Sequence, residues 1–91
     1  MNSPAVIFKS LGDETRLVIV RKLATEDREV NSKEIVTNCA SKLTLSQPTM
    51  SHHFQTLVQA GVILERKVGV EKYYRLNWSL LDDIGVDARK M

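Results

Sequence analysis

Apolar positions recur along the chain at helical spacing, in segments divided by residues that start or stop helices. Val6, Ile7 and Leu11 share one side of a stretch opened by Ser3 and Pro4 and closed by Gly12, which predicts a first helix over residues 3–11. Asp13 caps a second helix running to about Thr25, with Leu17, Val20 and Leu23 at the centre of a wide buried stripe. The polar segment from Glu26 to Glu29 is expected to be a loop. Asn31 followed by Glu34 has the spacing of a capping box and starts a third helix near Ser32, whose Ile35, Cys39 and Leu43 recur every four residues. The pattern breaks around Thr44 and Leu45. A fourth helix opens at Ser46-Gln47-Pro48-Thr49, because proline fits only the first turn, and either Ser46 or Gln47 serves as its cap. It ends at Ala60, before Gly61. Val62 to Val68 and Glu71 to Leu76 are β-favouring runs around Gly69-Val70, which predicts a hairpin. A last helix is expected from Ser79 to about Lys90, with Leu80, Leu81 and Ile84 apolar and Gly85 and Val86 weakening its second half.

The order is therefore helix, helix, helix, turn, helix, hairpin, helix: a mainly α fold carrying a β-hairpin wing. Two helices joined by a tight turn and followed by a hairpin is the plan of a winged helix-turn-helix, whose second helix enters the major groove of DNA. A chain of 91 residues has room for one domain, and 43% hydrophobic with 26% charged residues is an ordinary globular composition. Its longest apolar runs are four residues, Ala5 to Phe8 and Leu17 to Val20, far short of a membrane span. The first residues lack the blocks of a secretory signal, and the one cysteine, Cys39, can form no internal disulfide, so the cytoplasm is the expected compartment.

A net charge of +2 does not announce a polyanionic partner, but its distribution is uneven. Residues 46–76 carry four Lys and Arg against two Asp and Glu, together with both histidines. On the fourth helix Met50, Phe54, Leu57 and Val58 form the core stripe, leaving Thr49, Ser51, His52, Gln55, Thr56 and Gln59 outside it. From Ser46 to Gly61 there is no charged residue. A solvated face usually carries charges, so a face of hydroxyls, amides and imidazole points to hydrogen bonding with base edges, the alternative being a neutral surface helix. Arg66, Lys67, Lys72 and Arg75 lie on the hairpin, placed to meet phosphates or else to protect an exposed strand edge. Catalysis finds little support. Ser51, His52 and His53 point about 100° apart from one to the next and no acid is positioned to orient an imidazole, so the nucleophile lacks its geometry. A DNA-binding regulator is the leading expectation, with a winged-helix protein-interaction module as the alternative.

Four separated stretches, taken in order, carry a family resemblance. They are Phe8-Lys9-Ser10-Leu11-Gly12-Asp13-Glu14-Thr15-Arg16-Leu17, Leu45-Ser46-Gln47-Pro48-Thr49-Met50-Ser51-His52-His53-Phe54, Ala60-Gly61-Val62-Ile63 and Tyr73-Tyr74-Arg75-Leu76-Asn77. Together they closely resemble the ArsR/SmtB family of winged-helix repressors, across residues 4–77. The resemblance implies a homodimer formed by the terminal helices and bound to an imperfect palindrome in promoter DNA, with Gln47, Thr49, Ser51 and His52 facing the groove. Residues 3–11 and 79–90 carry Val6, Ile7, Leu80, Leu81 and Ile84 on two helices too short to bury them all, which places these five at the dimer interface.

The departures concern ligands. Metal sensors of the family show Glu-Leu-Cys-Val-Cys at the start of the third helix, and here Asn31 and Lys33 stand where the thiolates would be. The family's other metal site takes Asp and His from the last helix, but residues 77–91 contain no histidine, and Asp82, Asp83 and Asp87 alone make a poor zinc site. No metal and no other cofactor is expected. Cys39, in register with Ile35 and Leu43, is expected as a small core residue, a redox-sensing thiol being the alternative. His53, at the margin of the apolar arc, is expected to pack or to cap rather than to bind metal.

Overall fold

The computed structural model describes residues 2–43 and 47–91, and the side chains of residues 2–38 and 49–91. Its elements are α1 (Pro4–Leu11), α2 (Glu14–Glu26), β1 (Val30–Asn31), α3 (Ser32–Leu43), α4 (Gln47–Ala60), β2 (Ile63–Val68), β3 (Glu71–Leu76), α5 (Trp78–Asp83) and a closing 3-10 turn over Ala88–Lys90. The choice between Ser46 and Gln47 as cap, and the side chains of Gln47, Cys39 and Leu43, lie outside the described residues.

Local chemistry sets the helix ends. The Ser3 hydroxyl accepts the amide of Val6 and the Asp13 carboxylate accepts that of Arg16, each satisfying a first-turn donor that has no partner within its helix. At the end of α4, Gly61 adopts φ 83 and the Val62 amide returns to the Leu57 carbonyl at 3.0 Å, closing a Schellman turn. A Cβ at position 61 would stand 3.3 Å from the Leu80 side chain, so the glycine also lets α5 pack over the end of α4.

The core draws Ile7 from α1, Ile19 and Leu23 from α2, Ile35 from α3, Met50 and Leu57 from α4, and Leu81 from α5, all at 0% exposure. Each such side chain contributes about 1.5–3 kcal/mol of hydrophobic stabilisation, an upper figure because the unfolded chain is already partly collapsed. Helices α2, α3 and α4 with the β2–β3 hairpin form the winged helix-turn-helix. The hairpin turns at Gly69, whose φ of 60 a side chain rarely adopts.

Three features differ from the sequence expectation. Val30 and Asn31 pair with Tyr74 and Tyr73, making a third strand and the order β1-β3-β2. Asn31 still caps α3, accepting the Lys33 amide at 2.8 Å, but Glu34 does not complete a capping box and lies 3.3 Å from Arg28. The last helix stops at Asp83 rather than running to about Lys90: Gly85 adopts φ 78, the Val86 amide returns to the Leu81 carbonyl, and Asp87 caps the separate 3-10 turn.

A fourth difference bears on assembly. Ile7, Leu80 and Leu81 are 0%, 8% and 0% exposed within one protomer, so they serve its own core and offer a partner almost no surface. The two helices do not bury all five apolar residues, since Val6 stays exposed, but these three are enclosed, with α1 packed on α4 and Leu80 set against the end of α4 at Gly61. Val6 and Phe8 are half exposed, at 47% and 50%, and Ile84 is partly buried against the core.

Candidate nucleic-acid interface

The described side chains of α4, residues 49–60, divide into a buried and an exposed face. Met50, Phe54, Leu57 and Ala60 are buried, whereas Thr49, Ser51, His52, Gln55 and Gln59 face solvent. Thr56 is half-buried and its hydroxyl donates to the His52 carbonyl at 3.0 Å, so it is engaged by its own helix. The side chains of Ser51 and Gln55 are exposed and hydrogen-bond no described residue.

His53 belongs to the other side. It is 9% exposed, and its Nδ1 lies 3.1 Å from a guanidinium nitrogen of Arg16 and 3.7 Å from the Asp13 carboxylate. Guanidinium nitrogens only donate, so Nδ1 is the acceptor and the ring is neutral. Burial holds the imidazole below its ordinary pKa; the Asp13 carboxylate opposes this, while Arg16 and His52 add to it. Arg16 also donates from Nε to the Ser10 carbonyl, so one side chain joins α1, α2 and α4. His53 thus packs and hydrogen-bonds, and the position of the polar α4 face is fixed through it.

The wing stands beside that face. Phe54 and Tyr74 stack with centroids 4.6 Å apart and planes at 15°, joining α4 to β3. The Tyr74 hydroxyl donates to Glu65 at 2.9 Å, and burial pushes its phenol well above the usual range. Between α4 and the wing runs an open cleft of about 410 Å³, bordered by Ser51, Gln55 and Gln59 on one side and by Lys67 and Lys72 on the other. Lys67 and Lys72 are register partners across the hairpin and both are exposed. Like charges directly opposite each other destabilise a hairpin, and neither lysine has a carboxylate within ion-pair distance among the described residues.

Arg66 behaves differently from the phosphate contact expected of it. Its guanidinium forms a forked pair with Glu29, at 2.8 and 2.9 Å, and lies 5.2 Å from the centre of the Tyr73 ring. That hydrogen bond holds Glu29 below the ordinary carboxylate range, against a smaller opposing effect of burial. Strand alternation explains the divergence: Lys67 and Lys72 point to the α4 side, whereas Arg66, Tyr73 and Glu71 point to the other. Asn31 and Lys33, which stand where the family's metal sensors carry thiolates, both turn to Glu71. Asn31 Nδ2 donates to it at 2.9 Å and Lys33 Nζ lies 3.1 Å away, the hydrogen bond from Asn31 being the main cause of the lowered Glu71 pKa. Sequence reasoning missed Glu29 and Glu71 because their partners lie 37 to 40 residues away.

The comparisons with known proteins agree with this arrangement. Residues 13–64 match the model of the bacterial regulatory protein arsR family. An uncharacterized HTH-type transcriptional regulator of Methanocaldococcus jannaschii is 40% identical over 70 residues, covering 77% of this chain and 73% of that protein. An arsenical resistance operon repressor of Staphylococcus aureus is 36% identical over 84 residues, covering 88% of this chain and 71% of its own. Among solved structures, the homodimeric winged helix-turn-helix DNA-binding domain of a Mycobacterium bovis protein superposes with a TM-score of 0.70 at 26% identity, over 88% of this chain and 68% of that one. HlyU from Vibrio cholerae gives a TM-score of 0.67 at 29% identity, over 88% and 80%. With a family match over more than half its length and an uncharged polar helix set beside a basic wing, this chain belongs to the arsR family of winged helix-turn-helix transcriptional regulators.

Proposed function

We propose that the protein is a sequence-specific repressor that binds an imperfect palindromic promoter operator as a homodimer in the cytoplasm. The observation that carries this reading is the pairing of two surfaces across one cleft: the uncharged face of α4, with Ser51 and Gln55 unengaged, and the unpaired Lys67 and Lys72 of the wing. Thr49, Ser51, His52 and Gln55 read base edges, and Gln47 joins them from the first turn of the same helix. Lys67 and Lys72 hold phosphates and set register without reading sequence. Arg66 takes a supporting part through Glu29.

Size supports the dimeric reading. One protomer measures 30 × 27 × 21 Å, about the length of one turn of DNA, so it spans one half-site and a pair is needed for two. Val6 and Phe8 of α1, with Ile84 in part, supply the apolar surface of that contact. Catalysis finds little support: the Arg16 guanidinium occupies His53 Nδ1, and among the described residues no acid pairs with His52.

The test is to select fragments of the source genome on the purified protein and to footprint the strongest. Two protected half-sites about 34–36 Å apart, related by two-fold symmetry, are expected. Equal retention of all fragments would contradict sequence reading, and retention of none would favour a protein-interaction module.

A further inference from the structure

The segment from Glu29 to Lys33 grips the wing on the side facing away from α4. Glu29 holds Arg66 of β2 by two hydrogen bonds at 2.8 and 2.9 Å. Val30 and Asn31 pair through their backbones with Tyr74 and Tyr73 of β3. Asn31 and Lys33 then hold the Glu71 carboxylate, one oxygen each, at 2.9 and 3.1 Å. Both strands of the hairpin are thus fastened to the start of α3, one on each side of the tip that bears Lys67 and Lys72. A two-stranded hairpin alone is marginally stable in water. A two-residue strand supplies little more, so side-chain contacts must supply the rest.

We propose that Glu71, held by Asn31 and Lys33 and seconded by the Glu29–Arg66 pair, is a positioning residue for DNA recognition. It fixes the wing so that Lys67 and Lys72 stay at a set distance from the reading face of α4. Alternation along β3 puts Glu71 on the face opposite Lys72, so the carboxylate orients the lysines from behind and does not neutralise them. The inference rests on the proposed DNA binding, and it carries an unusual sign. By charge alone, removing an acid from a DNA-binding wing should tighten binding to a polyanion. If Glu71 positions the wing, removing it should loosen binding.

The test has two arms on the full chain. In the first, without DNA, backbone ¹⁵N relaxation is recorded on the native protein, on Glu71→Gln and on the charge-reversed double variant Lys33→Glu with Glu71→Lys. Order at the amides of residues 67–72 should fall in Glu71→Gln and return in the double variant; unchanged order would overturn the proposal whether or not DNA is bound. In the second arm, affinity for the selected operator and for random DNA is measured by anisotropy. Glu71→Gln should weaken operator binding by about two- to fivefold, the range that exposed ion pairs support, and weaken random binding less. The double variant, of unchanged net charge, should recover most of the loss. Tighter binding by Glu71→Gln, or no rescue by the double variant, would overturn the proposal. Failure of the native protein to select any operator would instead count against DNA binding itself, leaving the relaxation arm to decide whether Glu71 orders the wing.

Discussion

Nδ1 of the His53 ring accepts a hydrogen bond from the Arg16 guanidinium at 3.1 Å, so the helix that carries the reading face is joined to the start of α2 through a neutral imidazole. Protonation would place a second positive charge against Arg16 and remove the acceptor. Burial already holds this ring below its ordinary pKa of 6.5. Because the folded value is the lower one, the contribution of His53 is fully present above pH 6.5. It is lost as the pH falls through the folded value, since the unfolded chain then binds the extra proton first. Urea midpoints measured from pH 8 to pH 5 should fall more steeply for the native protein than for His53→Gln. Parallel curves would show that the ring contributes nothing to the pH dependence.

Gly61 and Gly69 both adopt positive φ, at 83 and 60, but in different surroundings. A Cβ at Gly61 would press on Leu80 at 3.3 Å, whereas nothing stands within 4 Å of one at Gly69. Gly61→Ala should therefore cost about 1–2 kcal/mol or more, combining backbone strain with a shift of the Leu80 side chain, and Gly69→Ala only the backbone part, near the lower end. Thermal unfolding of the two variants checks the ranking. Equal losses would mean that the Leu80 side chain yields without cost.

Phe8 is half exposed on α1 and Ile7 is fully enclosed, so the two should separate assembly from folding. Phe8→Glu should shift the protein toward monomer in light scattering while leaving its unfolding midpoint, extrapolated to low concentration, nearly unchanged. Ile7→Ala should destabilise the protomer itself by about 2–5 kcal/mol. A dimer that survives Phe8→Glu unaltered would remove α1 from the interface.

Much of this was legible in the sequence because punctuation and periodicity agreed. Ser3, Asp13 and Gly61 marked helix ends that the backbone hydrogen bonds then use, and the α4 stripe of Met50, Phe54 and Leu57 is the buried one. What escaped depended on distant partners. A two-residue strand such as Val30–Asn31 has no periodicity of its own and exists only because β3 offers an edge. Arg66 looked like its neighbour Lys67, and only alternation across the hairpin, with Glu29 waiting on the far side, sends the two to different tasks. Leu81 looked like surface for a partner because its complete burial depends on contacts with distant parts of the chain, which periodicity alone does not show.

Asn31 and Lys33 are committed to Glu71, and neither is a soft ligand. Adding zinc or cobalt at micromolar concentration should leave operator affinity unchanged in anisotropy titrations. A stoichiometric metal that altered DNA binding would reveal a ligand set distinct from the thiolate and Asp–His sites of the family's metal sensors.

The central claim is a division of labour between α4 and the wing, and anisotropy titrations over a salt series test it most directly. Replacing Gln47 or Gln55 by Ala should cost about 1–3 kcal/mol on the operator, relax preference at one base position, and leave random DNA nearly unaffected. Replacing Lys72 by Ala should weaken operator and random DNA alike and lower the salt slope by about one unit. If both glutamine variants instead weaken specific and random DNA equally, α4 does not read the operator, and the assignment of its uncharged face to base recognition is contradicted.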